Sequence, residues 1–422
     1  MVDVIDREFL TRLFEVAVKA ADPKAALQAH MPKRPKGRTV VIGAGKGAAQ
    51  MAAAFEDLWG DPVEGVVVTR YGYGAPCRHV QVLEAAHPVP DDAGLAATGA
   101  LFEAVRGLGP DDLVVALICG GGSALLPAPP KGLDLADEAA LNAVLLASGA
   151  PIGVMNAIRK QVSKIKGGRL AAAAHPARVV SLVVSDVPGD DPAQVASGPT
   201  VPDGVGRAEA MAHVAAFGVA LPERVRAFLD SSEEDAPRPG DSRFAGNEVH
   251  VVASAALSLE AAAALSQAEG IPAVILSDAI EGEARDVGLV HGAIAREIVM
   301  RDRPFAKPVL VLSGGETTVT LGGSGGRGGR NSEFLLSLAG ALDGISGVVA
   351  LAADTDGIDG SEDNAGAFAD GQSAARLRAA GQDPAALLAA HDSWGAFDIM
   401  GDLFVPGPTG TNVNDFRAML IR

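Results

Sequence analysis

Short apolar runs that stop abruptly in glycine recur along the chain, and a stretch with helical spacing follows each one. TVVIGAGKG, DDLVVALICGGGS and ARVVSLVVSDVPGDD set the pattern in the first half. PVLVLSGG and GVVALAADTDGIDG repeat it in the second. Runs of Val, Ile and Leu without polar alternation read as strands buried on both faces. Parallel strands need a crossover, usually a helix, so the alternation predicts an α/β fold built on mainly parallel sheets. Ligands of open parallel sheets sit beyond the carboxyl ends of the strands. Those ends are where this chain gathers its glycines, cations and aspartates.

The strand ends carry two kinds of load. The first run closes on Gly43, Gly45, Lys46 and Gly47, and another on Gly120, Gly121, Gly122 and Ser123. Glycine with a cation suits phosphate oxygens, because exposed backbone N–H groups and a positive charge converge on them. Asp186, Asp190 and Asp191 follow a third run, and Asp354, Asp356 and Asp359 follow a fourth. Clustered carboxylates suit Mg²⁺, a hard cation that bridges phosphates, and the first trio is the expected metal site. The second trio reads equally well as a turn in which aspartates bond the local backbone. Together the two loads predict phosphoryl transfer, where positioning and charge neutralisation supply most of the catalysis. GAGKGAA also fits a dinucleotide fingerprint, but the second strand ends in Thr69-Arg70 instead of the acid that would hold an NAD ribose; Arg70 suits NADP better. No G-x-x-x-x-G-K-[ST] is present, which excludes a P-loop kinase.

A third concentration of glycine runs from Ser313 to Phe334. A strand, a second short strand (TTVTL) and a loop with Gly322, Gly323, Gly325, Gly326, Gly328 and Gly329 lead to a helix start at Asn331 or Ser332. Arg327 and Arg330 lie three apart just before that start, so the loop is an expected anion site, with Gly326, Arg327 and Gly329 contacting phosphate. The segment NAIRKQVSKIKGGRL carries Arg159, Lys160, Lys164, Lys166 and Arg169. It is either a solvated face or the border of a cleft, and Lys164 is the expected nucleotide contact. His87, followed by Pro88 and Pro90 in HPVPD, reads as structural, and Ser123 as a backbone phosphate contact with no nucleophile elbow around it.

With 422 residues, the chain is long enough for two or three domains. The acidic, proline-containing stretch 231–242 is the expected boundary, giving domains 1–235 and 243–422. A net charge of −17 repels nucleic acid and anionic lipid, so local cations stand out as sites for small anions. Cys77 and Cys119 can form neither a disulfide framework nor a zinc site alone. The N-terminus has acids where a signal peptide has a basic segment, and no apolar run approaches ~18 residues, so a cytoplasmic chain is expected. A homodimer stays open.

Nine strings in this order, VIGAGKGA, HPVPD, CGGGSALL, NAIRKQVSKIKGGRLA, SDVPGDDPAQVASGPTVPD, LSGGETTV, GGRGGRNSEF, ADTDGIDG and GPTGTNVNDF, resemble the class II glycerate 2-kinases, whose C-terminal half is the MOFRL domain. They span residues 41–416. The resemblance implies two α/β domains, a Rossmann-like N-terminal one and a smaller C-terminal one, with the active site in the cleft between them. It implies phosphorylation of D-glycerate at the 2-hydroxyl by ATP with Mg²⁺, with Lys46 and Arg330 as the catalytic cations. The general base is expected among the aspartates, with Asp190 the first choice. Some relatives carry the name hydroxypyruvate reductase, and an NAD(P)H-dependent reduction is the rival.

Overall fold

The computed structural model describes residues 4–231, 235–321 and 325–422. Gly322, Gly323 and Ser324 of the glycine loop, and residues 232–234 of the expected boundary, lie outside the described residues.

The first unit spans Pro23–Val252. Its strands are β1 (Thr39–Ala44), β2 (Glu64–Arg70), β3 (Gln81–Ala85), β4 (Leu113–Cys119), β5 (Arg178–Val184) and β6 (Glu248–Ala253), in the order 3-2-1-4-5-6. The pairs β2–β3, β1–β2, β1–β4 and β4–β5 are all parallel. That order is the doubly wound Rossmann arrangement, and the chain reverses direction between β1 and β4. Every residue of β4 is buried, as expected of a strand covered on both faces. The core under one face joins Val40, Ile42, Val114, Ala116 and Val179 to the helix Asp92–Ala104 through Ala97 and Leu101. A separate apolar cluster ties the helices Leu135–Ala147, Ile152–Gln161, Arg207–Ala216 and Glu223–Ser231 together.

The second unit comprises residues 1–22 and 253–422. Its main sheet uses β7 (Ala273–Ile275), β9 (Val309–Gly315), β11 (Val348–Asp354), β12 (Gly366–Asp370), β13 (Leu403–Phe404) and β14 (Asp415–Ile421), in the order 13-12-11-14-9-7. Here the structure departs from the mainly parallel sheet expected. Only β7–β9 is parallel, whereas β9–β14, β14–β11, β11–β12 and β12–β13 are antiparallel. The reason is local: the connection from β11 to β12 is a turn-rich loop with no crossover helix, and the terminal strand inserts between β9 and β11. The second short strand expected at TTVTL is β10 (Thr317–Thr318), which pairs in parallel with β8 (Gly282–Glu283) and not with β9.

Residues 1–22 are a second departure. The N-terminal helix Val4–Ala20 covers one face of the second sheet beside the helix Ala255–Ala268, and not the first unit to which its sequence position assigned it. Its apolar stripe announced a buried face but not which sheet that face covers. Phe9, Leu10, Leu13, Phe14 and Ala17 are buried against Leu310, Leu351 and Phe416, and Ser258 Oγ donates to Ala17 O at 2.8 Å. Phe14 meets Phe404 and Phe416 edge-on, with centroids 5.0 and 5.9 Å apart. Phe14→Ala is therefore expected to lower the stability of the second unit by about 3–5 kcal/mol, read as a shifted urea midpoint.

Candidate active site

In the first unit five strand ends converge on two glycine turns. Gly45 follows β1 at φ 133°, and a Cβ built on it would sit 2.3 Å from Cys119 O, so only glycine closes this turn. Gly45 N donates to Val68 O at 3.1 Å and Lys46 N to Gly120 O at 2.9 Å, which locks the turn to β2 and to the end of β4. The helix Ala48–Trp59 begins immediately, and no side chain caps its first turn. Gly47 N turns onto Cys119 Sγ and Ala48 N onto Gly45 O, both at 3.2 Å, which leaves the N–H groups of Ala49 and Gln50 beside Lys46 as the part of the helix start suited to an anion.

The second turn, Gly120–Gly122, approaches its neighbours so closely that side chains would collide. A Cβ on Gly120 would lie 2.0 Å from Asp186 Oδ2, and one on Gly122 would lie 2.6 Å from Ala196 Cβ. Gly121, at φ 77°, is flanked by Lys46 Cγ at 3.0 Å and His87 Nε2 at 3.2 Å from the same construction. Burial, then the charges of Lys46 and Arg70, depress the His87 imidazole to about 4, so it is neutral at pH 7. Burial alone favours the neutral ring; the two nearby cations, Lys46 and Arg70, add to it and are the charges that would draw in a phosphate or carboxylate.

Behind Gly122 the backbone is strained. Ala196 (φ 53°), Ser197 (φ 59°) and Gly198 (φ 60°) are consecutive left-handed residues, at about 1–2 kcal/mol for each non-glycine. Gly167 N and Gly168 N donate to Ser197 O and Gly198 O at 3.0 and 2.7 Å and hold the run in place. The strain delivers Ser197 Oγ to Ser123 Oγ at 2.8 Å and to Asn156 Oδ1 at 3.1 Å.

Most of the basic segment is structural. Lys160 is buried and ion-paired to Asp203; Lys166 is buried on Glu138 at 2.6 Å and on Leu126 O at 3.0 Å. Arg169 bonds the carbonyls of Lys160 and Lys166 at 2.7 and 3.0 Å, and Lys164 is exposed.

The metal trio does not assemble. Among the described residues no group of three His, Cys, Asp or Glu side chains is placed to hold an ion. Asp186 reaches Gly120, but Asp191 is exposed and spent on its own turn, accepting from Ala193 N at 3.0 Å and Gln194 Nε2 at 3.2 Å. Asp190 sits at φ 54° in a short 3₁₀ turn that separates the three carboxylates.

In the second unit the expected free cations are engaged. Arg330 opens the helix Arg330–Ala341, and its Nε, Nη1 and Nη2 bond Asp415, Glu316 and Asp354 at 2.7, 2.9 and 2.8 Å. Burial opposes its charge, but Asp415, Asp354 and Glu316 more than offset this and push its pKa up. The buried Arg417 bonds Asp415 from the other side and Thr317 Oγ1 at 3.0 Å. Burial pushes Asp354 up and Arg330 pulls it down; Asp356 and Asp415 push it up again, leaving it well above the usual carboxylate range. Asp359 is wholly buried and accepts from Asn331 N at 2.9 Å and Ser332 N at 2.8 Å, so it caps that helix. Asp356 caps a turn at Ile358 N at 2.8 Å. Arg327 pairs with Glu362 and lies 3.5 Å from the Trp394 ring centroid. The glycines here admit neighbouring chain: a Cβ on Gly326 or Gly329 would meet Asp392 Cβ at 2.5 Å or Asp359 Oδ1 at 2.3 Å.

Residues 9–230 match a domain of unknown function, DUF4147, and residues 309–415 match the MOFRL family. The D-glycerate 2-kinase of Thermotoga maritima is 38% identical over 418 residues, 98% of each chain. The crystal structure of the Thermotoga maritima glycerate kinase superposes with a TM-score of 0.88 at 37% identity, covering 98% of this chain and 99% of that one. The chain belongs to the class II glycerate 2-kinase family. It is also 53% identical to a putative hydroxypyruvate reductase of Agrobacterium vitis, over 99% of this chain and 95% of the relative.

In the first unit Lys46, Gly45, Gly47, Gly120–Gly122 and Ser123 lie together at the two glycine turns, and Gly43 is a packing residue inside β1, its missing Cβ facing Leu117 O at 2.6 Å. His87, read as structural, borders Gly121, and Asn156 and Ser197 join the second turn through Ser123; none of the three was singled out as a site residue. The signal available was their place in the HPVPD, NAIRK and QVASG strings. Gly120→Ala tests the second turn: the new methyl would lie 2.0, 2.4 and 3.0 Å from Oδ2, Cγ and Cβ of Asp186, so that side chain must swing aside, but no backbone atom is struck and the fold should survive. Turnover is expected to fall about 10–100-fold with the melting temperature nearly unchanged.

Proposed function

We propose that the protein transfers the γ-phosphoryl group of ATP to the 2-hydroxyl of D-glycerate, giving 2-phosphoglycerate and ADP. The observation that carries this is the meeting of the two glycine turns, where Lys46 N bonds Gly120 O at 2.9 Å and the Lys46 side chain packs beside Gly121 and His87. Lys46 neutralises charge on the transferring phosphoryl, and the uncapped N–H groups after Gly47 hold its oxygens. The hydroxyl proton passes to a base from the 186–191 loop, with Asp190 still the residue assigned. Magnesium usually takes one or two carboxylates plus phosphate oxygens, and Asp186, against Gly120, is the residue that would hold it. Among the described residues no helix is long and apolar enough to cross a membrane.

Reduction of hydroxypyruvate needs a proton donor beside the hydride acceptor. His87 is the histidine that borders the glycine turn, and at about 4 it carries no proton to give at neutral pH. Phosphorus NMR of D-glycerate, ATP and Mg²⁺ with the enzyme tests the assignment, and a 2-phosphoglycerate resonance is the expected result. A 3-phosphoglycerate resonance would overturn the regiochemistry. NADPH consumption with hydroxypyruvate, and no phosphorylated product, would overturn the kinase.

A further inference from the structure

Arg159 stands apart from the other cations of its segment. It lies in the last turn of the helix Ile152–Gln161, and its Nε and Nη1 donate to the amide oxygens of Asn142 at 2.8 Å and Asn156 at 3.2 Å. Both partners are neutral. Glu138, the carboxylate whose charge Arg159 feels, is bonded to Lys166 Nζ at 2.6 Å and Ala128 N at 3.1 Å. Burial lowers the Arg159 pKa, and Glu138 only partly offsets it. A guanidinium has five N–H donors, and two bonds leave three. None of its nitrogens is among the sealed, unpartnered atoms of the protein, so the remaining edge opens to solvent.

The helix C-terminus explains a cation at this position, since carbonyl dipoles favour one there. It does not explain partial burial between two amides. Desolvating a guanidinium without a counter-charge is costly, and the cost is offset when an anion joins it. Asn142 and Asn156 hold the planar fork in one orientation, as bidentate capture of a carboxylate requires.

Arg159 is also tied to the glycine turns. From Nη1 the bonds run through Asn156 Oδ1 to Ser197 Oγ at 3.1 Å and on to Ser123 Oγ at 2.8 Å, next to Gly122. The left-handed backbone at Ala196 and Ser197 is maintained at the middle of that chain. Around Arg159 the polar groups are amides and hydroxyls, with no run of backbone N–H donors. That set suits a hydroxy acid, with one carboxylate and two hydroxyls, better than a triphosphate.

We propose that Arg159, oriented by Asn142 and Asn156, binds the carboxylate of the acceptor substrate, and that the Ser197–Ser123 pair places this subsite beside the glycine turns. The proposal rests on the kinase reading for the identity of the acid, D-glycerate. It predicts strong discrimination against the uncharged analogue glyceramide.

The test is Arg159→Met, close in length but uncharged, with Arg159→Lys as companion. KM for D-glycerate is expected to rise at least ~50-fold in Arg159→Met while KM for ATP stays within about two-fold, and the preference for D-glycerate over glyceramide to collapse. Arg159→Lys, which keeps the charge but loses the fork, is expected to fall between. Should Arg159→Met fail a melting check, Arg159→Lys alone decides by the same split. An unchanged glycerate KM, or an ATP KM that rises equally, overturns the proposal. Calorimetry of D-glycerate binding separates this from the kinase reading. If the wild type binds D-glycerate without turning it over, the kinase assignment has failed, and loss of that binding in Arg159→Met still supports the subsite. Binding unaffected by Arg159→Met, or no binding to the wild type at all, overturns it.

Discussion

Lys46→Ala is expected to reduce kcat/KM by about 10³-fold or more while leaving the fold intact. Lys46 sits at the turn between β1 and its helix, and its backbone, not its side chain, makes the bond to Gly120 O. Removing the ammonium deletes charge neutralisation at a transferring phosphoryl group, a term worth about 10²–10⁵ in comparable sites. A second readout is independent of turnover. His87 is depressed to about 4 by burial and by Lys46 and Arg70, so deleting Lys46 should move its NMR titration upward towards 6.5. The sign for stability follows. Between about 4 and 6.5 the unfolded chain binds the proton that folded His87 refuses, so this stability is present above 6.5 and is lost as pH falls towards 4. In Lys46→Ala that acid loss should shrink. A variant with normal turnover and an unmoved His87 would remove Lys46 from the site.

The first unit was legible because its rules are local. β4 reads LVVALIC, buried at each position, and glycine at 120–122 is demanded by contacts at 2.0–3.2 Å that any side chain would violate. The second sheet was not legible, since an apolar run such as VVALAAD specifies a buried strand but not the direction of its neighbour. The N-terminal helix misled for the same reason: amphipathicity is a property of one segment, and the partner is a property of the whole chain. In the GGRGGRN loop the same letters fit two physical causes. Glycine before a helix serves a ligand or admits a neighbouring chain, and at Gly329 a Cβ would lie 2.3 Å from Asp359 Oδ1, which favours the second. Asp415, which binds Arg330, Asn331 and Arg417, lies 85 residues from Arg330, beyond any spacing argument.

That network decides the outcome at Arg330. Arg330→Met is expected to destabilise the second unit by about 3–5 kcal/mol at pH 8, since it strands a buried carboxylate beside Asp356 and Asp415. Asp354 is already held above the usual range with Arg330 present, and without it the carboxyl must climb further. A carboxyl with a raised folded pKa binds more protons folded than unfolded, so stability falls as pH rises. The penalty of Arg330→Met should therefore shrink as pH falls and Asp354 takes up a proton, and grow as pH rises. Arg417 still serves Asp415 in the variant, so the pH-dependent part belongs to Asp354. Urea unfolding of both proteins at pH 5, 6.5 and 8 measures it. A cation held free for phosphate would give the opposite pattern, with turnover lost and stability unchanged at every pH. A penalty under ~1 kcal/mol that ignores pH would mean that the three carboxylates do not depend on Arg330, and would return the residue to the catalytic role its place in the GGRN string implies.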